Sequence, residues 1–260
     1  MDYPFIHTTD ALVLCIILFF GMLVMVLLGR MAGRYWKQEE GEPKGGVNSL
    51  LSALYGLSAF ILAFTFGMSA SRYSNVRDII VDEANDIGTA LLRSDLYPDS
   101  VRDAFRTDFK KYIDARISYY NNVTDTVLFK KARKDAAEAG TALWSRATQE
   151  AKLHNLVIPS NNMVSALNNM FDIATTTEVS LYARVPDLII YMLFILALVT
   201  SFVGGFTSTG IRRKDWIIII VFALFSSMVT YVTIDLSRPM RGIIKANIGL
   251  HALIDIRKNL

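Results

Sequence analysis

Residues 63–94 read AFTFGMSASRYSNVRDIIVDEANDIGTALLRS, and the first nine of them carry no charge. From Arg72 onward the same stretch holds Arg77, Asp78, Asp82, Glu83 and Asp86, with no proline and glycine only at 67 and 88. Nothing in it stops a helix, so the reading is one helix that starts in hydrocarbon and continues into water. That helix decides the fold.

Working outward, four windows of the 260-residue chain are free of charge: 11–29, 45–71, 188–211 and 216–234. Each can supply the ~18 apolar residues a spanning helix needs, and a backbone in lipid must satisfy its own hydrogen bonds. The fold class expected is therefore an all-α integral membrane protein, with four transmembrane helices in two hairpins. The first window is read as a span and not a signal peptide, because its leader MDYPFIHTTD has no Lys or Arg and the apolar run is long. Residues 1–71 form the first hairpin, 72–184 a helical soluble domain continuous with the second span, 185–236 the second hairpin, and 237–260 an amphipathic tail with Ile244, Ile248, Ala252 and Ile256 on one face.

The insert at 72–184 has 15 basic and 15 acidic side chains, so it is neutral and water-exposed. With a net charge of +3 and no basic stripe between aromatic residues, nucleic acid is not an expected partner. Within the insert, Pro98-Asp99-Ser100 opens a helix with Val101, Phe105, Phe109 and Tyr112 on one face. Thr124-Asp125 caps another running to about Lys152, and Ile158-Pro159-Ser160 starts a third with Met163, Leu167, Met170 and Phe171 inward.

No enzyme signature appears. Cys15 is the single cysteine, the three histidines have no second ligand at helical spacing, and Gly-rich phosphate loops, G-x-S-x-G and H-E-x-x-H are absent. No cofactor or metal is expected. The sequon Asn122-Val123-Thr124 is a tripeptide common by chance.

Two rows run along the opening helix. Phe60, Phe64, Gly67, Ser71, Asn75, Asp78, Asp82 and Asn85 pass from aromatic through small to polar and acidic, as the wall of an aqueous path would. Val76, Ile80, Ala84, Ile87 and Leu91 form an apolar stripe for packing in the soluble domain. A bland reading stays open beside the first: Ala59, Ala63, Gly67 and Ser71 make a small-residue ridge for close helix packing, and the acids are a solvated face. At the end of the fourth span, Asp235 is expensive near hydrocarbon unless paired, and Arg72 or Arg238 is the expected partner.

Two segments carry a family resemblance: Ala63-Phe64, Glu83-Ala84-Asn85, Leu92-Arg93 and Pro98, then Asp235-Leu236-Ser237-Arg238-Pro239-Met240-Arg241-Gly242. They resemble the bacterial bestrophin-like membrane proteins of unassigned function, over nearly the full chain. The chain is more distantly similar to bestrophins, pentameric ion channels whose second span lines an aromatic neck and continues into a cytosolic vestibule. The resemblance puts Phe60 and Phe64 at the neck and Arg72-Tyr73 where bestrophins have Arg followed by aromatic residues. Ser74 and Asn75 replace the second aromatic and the acid usual there, and the tail has no acidic cluster suited to a calcium clasp.

These features predict a homo-oligomer, a pentamer, in the bacterial inner membrane. It would conduct monovalent ions with weak cation selectivity, since symmetry would stack Asp78 and Asp82 into acidic rings below a Phe60–Phe64 constriction. The alternative is a non-conducting sensor or scaffold whose helical domain binds a ligand or partner. The side of the soluble domain is open: seven basic residues (Arg30, Arg34, Lys37, Lys44, Arg212, Arg213, Lys214) lie in the hairpin loops against six (Arg72, Arg77, Arg184, Arg238, Arg241, Lys245) at the opposite ends. That count mildly opposes the cytoplasmic placement the resemblance implies.

Overall fold

The computed structural model describes residues 10–35, 45–152, 156–182, 186–207, 213–240 and 243–260, and among them there is no strand. The α-helices in chain order are α1 (Ala11–Tyr35), α2 (Gly45–Arg93), α3 (Asp99–Asn121), α4 (Thr126–Glu150), α5 (Val157–Tyr182), α6 (Asp187–Thr207), α7 (Arg213–Leu236) and α8 (Asn247–Lys258). A 3₁₀ turn, Ser94–Leu96, closes α2. Helices α1, α2, α6 and α7 carry the four stretches long and apolar enough to cross a membrane. Of the sequence features used above, His7, Lys37, Lys44, His154, Arg184, Arg212, Arg241 and Gly242 lie outside the described residues.

The chain divides into two compact units, 1–72 with 184–237 and 73–183 with 238–260. In the first, α1 packs along α6 and α7. Leu14, Cys15, Ile190 and Ile234 form one cluster there, and Leu18, Met22 and Ala223 another. The close approach comes from glycine: a Cβ on Gly29 would stand 2.0 Å from the Phe202 carbonyl oxygen, one on Gly33 2.4 Å from that of Phe206, and one on Gly205 2.1 Å from that of Val26. Gly29 and Gly33 form a G-x-x-x-G step, which lets two backbones touch. This corrects the placing of Arg30 and Arg34 in a hairpin loop, since α1 continues through both to Tyr35.

The second unit is built on the apolar stripe of α2. Val76, Ile80, Ala84 and Ile87 are buried together with Phe105, Phe109, Tyr119, Leu143, Met163, Leu167 and Met170 from α3, α4 and α5. Asp125 caps α4, its carboxylate accepting from the N–H groups of Val127 and Leu128 at 2.9 and 3.0 Å. The tail helix α8 belongs to this unit, with Gly249, Leu250 and Leu253 buried, and Ala246 buried just before it. Of the expected face, Ala252 and Ile256 pack against the same core, while Ile248 is 60% exposed. The inward face is shifted because Gly249 seats against Ile80, where an added Cβ would lie 2.7 Å from the Ile80 carbonyl carbon. Arg257 holds α8 to α3 through Asp114 at 2.6 Å.

Candidate functional site

On α2 every member of the row Phe60, Phe64, Gly67, Ser71, Asn75, Asp78, Asp82 and Asn85 is exposed. Their spacing of three and four residues keeps them on one face of α2, exposed among the described residues. Phe60 and Phe64 are 68% and 58% exposed, with rings stacked at 6.5 Å between centroids and 13° between planes. A Cβ on Gly67 would meet nothing within 4 Å. Ala59 and Ala63 are exposed as well, so among the described residues the small-residue ridge stays uncovered.

The opposite face of α2 is the one that packs. Ser58 shares a hydrogen bond with Thr200 of α6 at 2.9 Å, and Tyr55 meets Phe222 of α7 edge to face at 5.2 Å. Thr65 is fully buried and donates back to the Ile61 carbonyl. Even so, 6% of the most apolar window of α2 is buried, against 28% or more in each of the other three candidate spans. The span least covered by its own protomer is also the least apolar of the four. Lipid exposure alone would favour the reverse order, because the helix most bathed in hydrocarbon gains most from apolar side chains.

The acidic end of the row is not uniform. Asp78 takes two bonds from Arg77, at 2.9 and 3.0 Å, and a weak one from the Ser74 hydroxyl at 3.4 Å. Asp82 makes no ion pair among the described residues. One turn on, partial burial and then the nearby Asp82 charge hold the Asp86 carboxyl above the usual range. Within the protomer Asp78 is thus paired with Arg77, and Asp82 and Asp86 follow it along α2.

Asp235 is 2% exposed, buried in the first unit beside Thr233, Ile234 and Leu236. A carboxylate at that burial requires a partner.

One buried pair was missed in the sequence. Glu83, fully buried on α2, accepts from Arg116 of α3: Nε to Oε1 at 2.5 Å and Nη2 to Oε2 at 2.7 Å. The Tyr120 hydroxyl completes the network on Glu83, and the guanidinium lies 4.5 Å above the Tyr119 ring. Burial alone would lower the Arg116 pKa, but the Glu83 charge beside it raises it further, so the guanidinium stays charged. Burial pushes the Tyr112, Tyr119 and Tyr120 phenols well up, so all three are neutral. The signal was present: Glu83 interrupts the stripe of α2 and Arg116 that of α3, and a charge on an apolar face needs a counter-charge.

A family model described as a bestrophin-like domain matches residues 15–247. Among solved structures, a tryptophan-to-alanine variant of a bacterial bestrophin homolog from Klebsiella pneumoniae is similar at 13% identity, covering 96% of this chain and 99% of that one, with a TM-score of 0.70. Another crystal structure of a bacterial bestrophin homolog from Klebsiella pneumoniae, phased on zinc, is similar at 14% identity over 92% of this chain and 98% of that one, with a TM-score of 0.64. None of the curated proteins matches.

Proposed function

Because the chain belongs to the bestrophin-like family, we propose that it is a homo-oligomeric ion channel whose conduction path is lined by α2. The layout proposed is a first hairpin (1–71), a helical insert (72–184), a second hairpin (185–236) and a tail (237–260), in the bacterial inner membrane. The observation that carries the reading is the unbroken exposed row from Phe60 to Asn85 on the least covered span. Four spans in one protomer enclose no wide aqueous path, so a pore needs several copies around an axis.

Neighbouring copies would cover the small-residue ridge Ala59 and Ala63, and water would face the row beside it. Phe60 and Phe64 then form an apolar constriction that gates by dewetting, with Gly67, Ser71 and Asn75 as the widening path below. Asp82, and to a lesser degree the Arg77-paired Asp78, supply negative charge that concentrates monovalent cations. The selectivity is weak because each ring carries one acid per copy. Arg72 or Arg238 is proposed as the partner of Asp235, locking the fourth span's end.

Five copies is the stoichiometry proposed. Mass measurement of the detergent-solubilised full chain tests it: a pentamer is expected, and a monomer would overturn both the assembly and the pore. Reporter fusions at residues 130 and 210 assign the membrane side of the insert.

A further inference from the structure

Helices α3, α4 and α5 of the second unit leave a cavity of about 510 Å³, within the size range of small-molecule sites. Ala136, Ala137 and Gly140 of α4 make the space, because larger side chains there would fill it. The gap is tight at its edge, where a Cβ on Gly140 would come 3.1 Å from the Phe171 ring. Trp144 and Phe171 stand 6.3 Å apart along one wall, and Tyr112 meets the same Phe171 edge on at 6.4 Å.

Two hydrogen-bond donors, Tyr112 and Arg116, line the cavity. Tyr112 is 3% exposed, and its hydroxyl makes no hydrogen bond among the described residues. Arg116 lines the cavity too, and its bonds to Glu83 and Tyr120 use Nε and Nη2, leaving Nη1 outside that network. A phenol hydroxyl and a guanidinium N–H can each donate to an acceptor oxygen placed in the cavity. At the mouth, Arg133 and Glu178 neutralise each other at 2.8 Å, so the entrance sets no sign of charge.

We infer that this cavity binds a small, flat aromatic molecule carrying a carbonyl-type oxygen, with the ring against Trp144 and Phe171 and the oxygen at Tyr112 and Arg116. Stacking on aromatic walls supplies the apolar part of the affinity, and the two donors fix the orientation. The inference does not depend on whether the chain conducts, since it concerns only α3, α4 and α5.

Titration calorimetry on the detergent-solubilised full chain tests it, with 2-naphthoate and 2-naphthamide as probes. Saturable binding of one probe per chain is expected, and the stronger of the two says whether the oxygen belongs to a carboxylate or an amide. Tyr112→Phe, which keeps the ring, should weaken binding about fivefold, the factor for one neutral hydrogen bond. Ala137→Trp, at an exposed wall position, should abolish binding while leaving the mass of the assembly and the thermal transition unchanged. Absence of saturable heat with both probes, or equal binding in Ala137→Trp, would overturn the site. So would dissociation of the assembly by Ala137→Trp, which would place a neighbouring copy in the groove.

Discussion

Nη2 of Arg116 stands 2.7 Å from Oε2 of Glu83, joining α3 to α2 through a bidentate ion pair whose members are 4% and 0% exposed. Removing one partner strands a buried charge, at a cost of about 3–5 kcal/mol, whereas replacing both with apolar residues of similar size is close to neutral. Glu83→Gln or Arg116→Met alone should therefore lower the thermal transition sharply, and Glu83→Leu with Arg116→Met should recover most of it. Melting in detergent followed by helical circular dichroism checks this. A double variant as unstable as the single ones would mean that the pair is needed for more than charge balance.

Gly29 and Gly67 look alike in sequence and differ in surroundings. Gly29→Ala drives a Cβ into the Phe202 carbonyl oxygen, so it should destabilise the protein by about 1–3 kcal/mol, the usual cost of overpacking. Gly67→Ala meets no neighbour in the protomer and should leave its melting unchanged or slightly raised. The comparison is a pair of melting curves. Equal losses at both positions would show that Gly67 is closely packed in the assembly.

Ala63 tests the subunit contact. Ala63→Trp places a large side chain on a ridge exposed in the protomer, so helix content should hold while the oligomer dissociates. Size-exclusion chromatography with light scattering reads both states. An assembly of unchanged mass would remove the ridge from the interface.

Asp235 tests the end of the fourth span. Asp235→Asn should lower stability by about 1–3 kcal/mol by leaving a basic partner without its counter-charge. The swap Asp235→Arg with Arg72→Asp should restore part of the loss if Arg72 is the partner. A swap no better than either single change would make Arg238 the partner instead.

Much of the fold was legible because membrane helices announce themselves by length and by the absence of charge. The helices α3, α4 and α5 were marked by Pro98, Asp125 and Pro159. The end of α1 was misread because Arg30 and Arg34 look like a loop, while the structure uses Gly29 and Gly33 beside them to bring α1 onto α6. On α8 the phase slipped because period alone cannot show that Gly249, lacking a side chain, is what lets the helix touch Ile80. The row on α2 was readable as a row, but its Arg77–Asp78 pair was not, since adjacent residues on a helix are not expected to face each other. Glu83 belongs to the Glu83-Ala84-Asn85 motif, and its place on an apolar stripe called for Arg116.

The most direct test of the α2 pore is a planar-bilayer recording of the purified oligomer under a salt gradient, comparing wild type with Phe64→Ala, Asp78→Asn and Asp82→Asn. Wild type should conduct with a reversal potential displaced toward cations, and Phe64→Ala should increase the conductance. Asp82→Asn should shift the reversal potential toward zero more than Asp78→Asn, because Arg77 already offsets Asp78. No current from a correctly assembled wild-type oligomer at any voltage or pH would contradict the channel, and a reversal potential unmoved by either Asp variant would place the acidic row outside the conduction path.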